Sequence, residues 1–145
     1  EKVDGPNHIK VVEEFGYEMY LHCGAIRKVL LAYQSPSFIE EYVKKIIEHD
    51  HAFPRVDAGD LRDELKRIRQ SGYAITYGEY VNDAVGIGAP VFNSEGELAG
   101  SIGIIAPTIR LNSEELLKVQ LEYVQKFAAD LSRDIGYSPL FSSRA

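Results

Sequence analysis

The chain has 145 residues, 45% hydrophobic and 26% charged, the proportions of one soluble globular domain with a single core. Its 22 acidic residues outnumber its 16 basic ones, for a formal net charge of -6, so it lacks the concentrated basic face with which a domain grips DNA by itself. Charges such as Lys28, Lys44 and Arg62 break every apolar run short of the ~20 residues a membrane helix needs, and the lone Cys23 excludes an internal disulfide and a multi-cysteine metal site.

The first residues, Glu1-Lys2-Val3-Asp4-Gly5-Pro6, have neither the apolar core nor the cleavage pattern of a secretory signal, so a cytoplasmic location is the expectation. Short β-prone runs from His8 to Glu14 and from Tyr17 to Leu21 flank Phe15-Gly16 and predict a hairpin. Ala25, Ile26, Val29, Leu30 and Tyr33 recur at helical spacing, which predicts a short helix starting directly after Gly24. A second helix follows, capped by Ser35 with Pro36 in its first position and ending near His49. Its apolar stripe is Phe38, Ile39, Tyr42, Val43, Ile46 and Ile47. A third spans Ala58 to Ser71, with Asp57 or Asp60 near its cap, Leu61, Leu65 and Ile68 inward, and Gly72 as a left-handed stop. Its outer face interleaves Lys66, Arg67 and Arg69 with Asp60, Asp63 and Glu64, the pattern of a solvated surface.

The period then changes. Tyr73 to Tyr77, Val85 to Phe92 and Glu97 to Ala106 are rich in β-formers, and Asn93-Ser94-Glu95-Gly96 reads as the hairpin turn between the last two. A long helix closes the order, capped by Asn112 with Glu115 placed for a capping box, and ended by Gly136. Its predicted buried line is Leu117, Leu121, Val124, Ala128, Leu131 and Ile135. The tail from Ser138 reads as frayed. Strands and helices do not alternate steadily, so the class is α+β, an antiparallel sheet flanked by helices.

Two segments resemble the regulatory domain of the IclR family. One is Leu21-His22-Cys23-Gly24-Ala25-Ile26-Arg27-Lys28-Val29-Leu30-Leu31-Ala32. The other is Gly72-Tyr73-Ala74-Ile75-Thr76-Tyr77-Gly78-Glu79, running on to Gly88-Ala89-Pro90-Val91-Phe92-Asn93. Order and spacing agree over roughly Tyr17 to Tyr137, including the turn Ala106-Pro107-Thr108-Ile109-Arg110-Leu111. The resemblance implies a GAF-like or PAS-like fold in which an antiparallel sheet and its loops enclose a pocket for a small metabolite, in a domain that forms dimers or tetramers. It also implies a winged helix-turn-helix at the amino terminus, and nothing before His8 could supply one. Residues 1–145 are therefore expected to be a single effector-binding domain, with about 8–137 as its ordered core, either a fragment of a regulator or a free-standing GAF-like sensor acting on another protein.

By the same resemblance the effector site comprises His22, Cys23, Gly24, Ala25, Thr76, Glu79, Val85, Gly86, Gly103 and Ile105. Backbone N–H groups at the Gly24-Ala25 helix start suit a carboxylate, although a glycine there also serves a tight strand-to-helix turn with no ligand. Thr76 stands where the family is usually acidic, Gly86 where cysteine, serine or alanine is usual, and Gly103 and Ile105 where small polar residues are common. Those replacements predict a roomier and more apolar cavity for an aromatic or branched acid, unless the glycines merely permit sheet bending. Arg27 replaces a usual glycine. Its charge either reinforces an anion site or, about 200° from Ala25 around the helix, faces water.

A catalytic reading is weak. His22 and Cys23, as strand neighbours, point to opposite faces and lack an orienting carboxylate, and His49-Asp50-His51 reads as a solvated helix end more than a metal cluster. The expectation is a sensor of a small organic acid, with no enzymatic activity, metal or cofactor, that reaches DNA only through another domain and no membrane at all.

Overall fold

A computed structural model of the chain describes residues 1–8, 11, 18–49 and 52–139. Most of the predicted first hairpin, residues 9, 10 and 12–17, lies outside these, as do Asp50 and His51 and the tail from Leu140. Residues 18–20, the described start of its second run, join no strand, and Leu21-His22 is a turn leading to the first helix.

That helix, α1, spans Ala25–Ala32, preceded by Gly24 at φ 88°, a backbone state that side-chain-bearing residues rarely adopt. In α2, Pro36–Tyr42, the Ser35 hydroxyl accepts the Phe38 N–H. The predicted single helix then changes pitch, because Val43–Ile47 winds as a π-helical turn closed by the Glu48 N–H on the Val43 carbonyl. Phe38, predicted inward, is exposed, while Val43 is fully buried. The third helix, α3, covers Ala58–Ser71 as predicted, with the Asp57 carboxylate on the Gly59 and Asp60 N–H groups and Gly72 left-handed at its end.

Strands β1 (Ala74–Tyr77), β2 (Ala84–Phe92) and β3 (Leu98–Pro107) form an antiparallel meander, the one sheet among the described residues. Thr76 lies opposite Gly86, which lies opposite Ile105, while Ala74, Gly88 and Gly103 form the next row. Alternation assigns the two faces. Val85, Ile87, Ala89 and Val91 pack with Ile102 and Ile104 against the long helix α4, Glu114–Asp134. The other face, with Gly86, Gly88 and Gly103, receives α1, behind which α3 closes a second cluster built on Val29, Leu31, Leu61 and Leu65.

Helix α4 begins one residue later than predicted. Ser113, not Asn112, accepts the Leu116 N–H, which puts Glu115 out of register for a capping box. Its buried line also diverges toward the end: Leu131 and Ile135 are exposed and Ser132 is buried in their place. Val124, Ala128 and Ser132 repeat every four residues, and the β2–β3 pairing shifts register between Val91 and Phe92. There the Ser132 hydroxyl accepts the Phe92 N–H at 3.0 Å and donates to the Ala128 carbonyl, a satisfied polar pair that a leucine could not provide. Among the described residues no helix is long and apolar enough to cross a membrane.

Candidate functional site

The amino-terminal end of α1, the row Thr76–Gly86–Ile105 and the loop after β1 surround a cavity of about 270 Å³. Of the residues expected at an effector site, Gly24, Ala25, Thr76, Glu79, Gly86, Gly103 and Ile105 line it together. His22, Cys23 and Val85 do not. His22 and Cys23 are fully buried beside the helix start, and Val85 points through the sheet toward α4.

Both predicted anion-binding N–H groups already have acceptors from the chain. Gly24 donates to Glu79 Oε2 at 2.9 Å and Ala25 donates to Thr76 Oγ1 at 3.0 Å. The Glu79 carboxylate therefore sits where a ligand acid was expected, favoured by the positive end of the α1 dipole. It is further held by Lys28, whose ammonium contacts Glu79 Oε1 at 2.5 Å and both Glu64 oxygens at 2.8 Å. The Lys28 side chain is 1% exposed, against 30% for Glu64 and 21% for Glu79, so this cation is buried under carboxylates that still reach water. Glu64 consequently does not belong to the solvated face of α3 to which its spacing assigned it. Lys28 was missed as a structural centre, although it occupies the second place of the inward Ala25, Lys28, Val29, Ala32 stripe, where an unpaired charge would not be tolerated.

Arg27 turns back along the helix instead of pointing into water. Its Nη1 donates to the Cys23 carbonyl at 3.2 Å, its guanidinium lies 4.7 Å from the Tyr80 ring centroid, and it lines the cavity. A long, flexible side chain can return its head group over a preceding turn even when its Cα faces outward.

The glycines do not enlarge the cavity as predicted. A Cβ on Gly86 would meet Thr76 Oγ1 at 3.2 Å and the Ala25 Cβ at 3.4 Å. One on Gly88 would meet Ala25 and Ile26 backbone at 3.0 Å, and one on Gly103 the Ile87 carbonyl at 2.2 Å. Their missing side chains admit α1 onto the sheet. With Arg27, Glu79, Tyr80 and Ser101 around it, the cavity is also more polar than those glycines and Ile105 suggested. Its volume lies just below the ~300 Å³ at which pockets for drug-sized ligands begin, and above the ~150 Å³ that accommodates benzene.

Nothing here activates a nucleophile. The His22 Nε2 lies 2.8 Å from the Pro54 carbonyl, which can only accept, so that nitrogen carries the proton and Nδ1 accepts from the Tyr42 hydroxyl at 2.8 Å. Both ring nitrogens are engaged away from Cys23, and burial holds the imidazole below its ordinary pKa. Burial likewise pushes the Cys23 thiol up, and its Sγ donates to the Glu79 carbonyl at 3.5 Å. His49 is exposed, and among the described residues no group of three or more histidine, cysteine or acidic side chains could hold a metal ion.

Comparison with known proteins agrees with this architecture. Residues 1–133 match the family model described as "Bacterial transcriptional regulator IclR C-terminal". The chain is 29% identical over 144 residues to the HTH-type transcriptional regulator KipR of Bacillus subtilis (strain 168), covering 95% of this chain and 55% of KipR. It is 30% identical over 146 residues to the uncharacterized HTH-type transcriptional regulator RhmR of Escherichia coli (strain K12), covering 99% of this chain and 55% of RhmR. The crystal structure of the Thermotoga maritima IclR superposes with a TM-score of 0.81 at 25% identity, over 94% of this chain and 56% of that one. The chain thus spans about half the length of the curated relatives it matches.

Proposed function

Because the chain belongs to the IclR family of bacterial transcriptional regulators, proteins that act on transcription and not as enzymes, we propose that it is the effector-binding part of such a regulator. A small organic acid enters the cavity between α1 and the sheet, and its binding alters DNA binding by a helix-turn-helix domain amino-terminal to these residues. The observation that carries this reading is the convergence of Gly24, Ala25, Thr76, Glu79, Gly86, Gly103 and Ile105 on one cavity. These residues are drawn from a helix start, a loop and all three strands. Scaled from the benzene-sized void, the space holds about ten non-hydrogen atoms.

The loop after β1 carries Glu79 and Tyr80 and reaches the start of α1, so a ligand lying between them couples helix to loop. A modest coupling suffices, since a tenfold change in DNA affinity needs about 1.4 kcal/mol of differential ligand binding. Assembly into dimers or tetramers is part of the proposal. The exposed stripe Leu116, Val119, Tyr123, Phe127, Leu131 and Ile135 along α4 supports it, and sedimentation of the isolated domain tests it.

A thermal-shift screen of aromatic and aliphatic carboxylates tests the sensor reading. A ligand at 100 times its Kd stabilises the folded state by about 2.7 kcal/mol, a midpoint rise of about 10 °C for a domain of this size. Absence of a shift with every acid that fits the cavity would refute it.

A further inference from the structure

We infer that the exposed face of α4 pairs with the same face of a second copy of this chain, the two helices antiparallel, an inference that rests on the reading of the domain as one that assembles. Leu116, Val119, Tyr123, Phe127, Leu131 and Ile135 are large apolar side chains, each at least 40% exposed. Their spacing is symmetric. Leu116 with Ile135, Val119 with Leu131 and Tyr123 with Phe127 stand nearly equally on either side of residue 125. A two-fold axis crossing α4 there sets Tyr123 of one copy against Phe127 of the other. These two rings, stacked at a centroid distance of 6.4 Å within one chain, then meet their copies at the centre of the interface, where aromatic anchors contribute most.

The charges beside the stripe identify what covers it. At about 100° per residue, Glu115, Glu122, Lys126 and Arg133 fall within about 40° of one another, along one border of the stripe. Their order is acid, acid, base, base, antisymmetric about residue 124 and so about 1.5 Å along the axis from the centre of the apolar stripe. In an antiparallel two-fold pair this border meets the same border of the second helix, so Glu115 faces Arg133 and Glu122 faces Lys126, each pair made twice. Within their own helix Lys126 and Arg133 share the single carboxylate of Asp130, and at 64% and 67% exposure both can reach a second one. In a parallel pair the charged border would instead meet the opposite one, which carries Gln120 and no cation of α4, leaving Glu115 and Glu122 uncompensated. A heterologous partner imposes no such symmetry on the helix, whereas an isologous contact requires it.

Charge exchange followed by sedimentation velocity tests the pairing. Glu115→Lys with Glu122→Lys makes the border wholly basic, and Lys126→Glu with Arg133→Glu makes it wholly acidic. Each double variant alone is expected to self-associate at least about tenfold more weakly than the wild type, because like charges then face each other. An equimolar mixture of the two regains association, since every acid of one chain again meets a base of the other. Phe127→Glu, at a position exposed in the single chain, yields a monomer. Melting curves establish that each variant is folded. Double variants that associate as tightly as the wild type, a mixture no tighter than its components, or dimers that persist in Phe127→Glu overturn the antiparallel contact and leave assembly through another face standing. A wild-type domain that stays monomeric at every concentration overturns this inference and the assembly reading together, while the acid screen of the cavity decides the sensor reading by itself.

Discussion

Replacing Gly103 with alanine tests whether α1 lies on the sheet as closely as the structure has it. The added Cβ would stand 2.2 Å from the Ile87 carbonyl oxygen and 2.7 Å from Ile26 Cγ1. Ordinary contacts between heavy atoms begin near 3.5 Å, so the obstructing atoms must withdraw by roughly 1 Å. Ile26 can rotate, but the carbonyl belongs to the central strand, whose Ile87 side chain is fully buried against α4. Overpacking of this kind costs about 1–3 kcal/mol, and a backbone obstruction places it at the upper end, near 3 kcal/mol. For a domain of this length that lowers the melting midpoint by about 10 °C. Gly100 lies on the same strand with nothing within 4 Å of its would-be Cβ. Gly100→Ala should therefore be neutral or stabilising by up to about 1 kcal/mol through the unfolded chain. Urea unfolding followed by far-ultraviolet circular dichroism compares the two. If Gly103→Ala unfolds within about 0.5 kcal/mol of Gly100→Ala, the close packing of helix on sheet is wrong.

Further outcomes follow from the buried polar groups. Ser132→Ala orphans the Phe92 N–H and should cost about 1–3 kcal/mol in urea unfolding, where Ser138→Ala in the tail costs nothing measurable. Lys28→Met leaves Glu64 and Glu79 facing each other. Breaking a fully buried pair costs about 3–5 kcal/mol, and the partial exposure of both glutamates reduces the expected loss to about 2 kcal/mol, readable as a lower urea midpoint. Burial holds His22 below its ordinary pKa, so the unfolded chain takes up its proton first. The corresponding stability is full above about pH 6.5 and falls as the pH drops below that value toward the depressed folded-state pKa. Melting midpoints between pH 7.5 and 5 should show this slope, and His22→Gln should flatten it. Cys23, fully buried with its thiol pKa raised, should react with a disulfide reagent at least a hundredfold more slowly in the native domain than in urea; equal rates would mean the site is open.

Periodicity and capping residues determined the elements. Leu61, Leu65 and Ile68 with Gly72 fixed α3 to the residue, and Asn93 to Gly96 fixed the β2–β3 turn, because the helical and strand periods and the punctuating residues act within a few positions of one another. The glycine-alanine pair marked the start of α1, and the motif order pointed to the cavity's lining. What spacing could not decide was which partner each polar group would meet across the fold. Glu79 and Thr76 lie more than fifty residues from the N–H groups they accept, Glu64 left its apparent solvated face for Lys28, and Ser132 displaced Leu131 where the strand register shifts. Glycines on β2 and β3 read as empty space in one dimension, and only the crossing of α1 over the sheet filled it. Local sequence specifies local conformation, whereas the satisfaction of a buried charge or donor depends on whatever the whole chain brings within 3 Å of it.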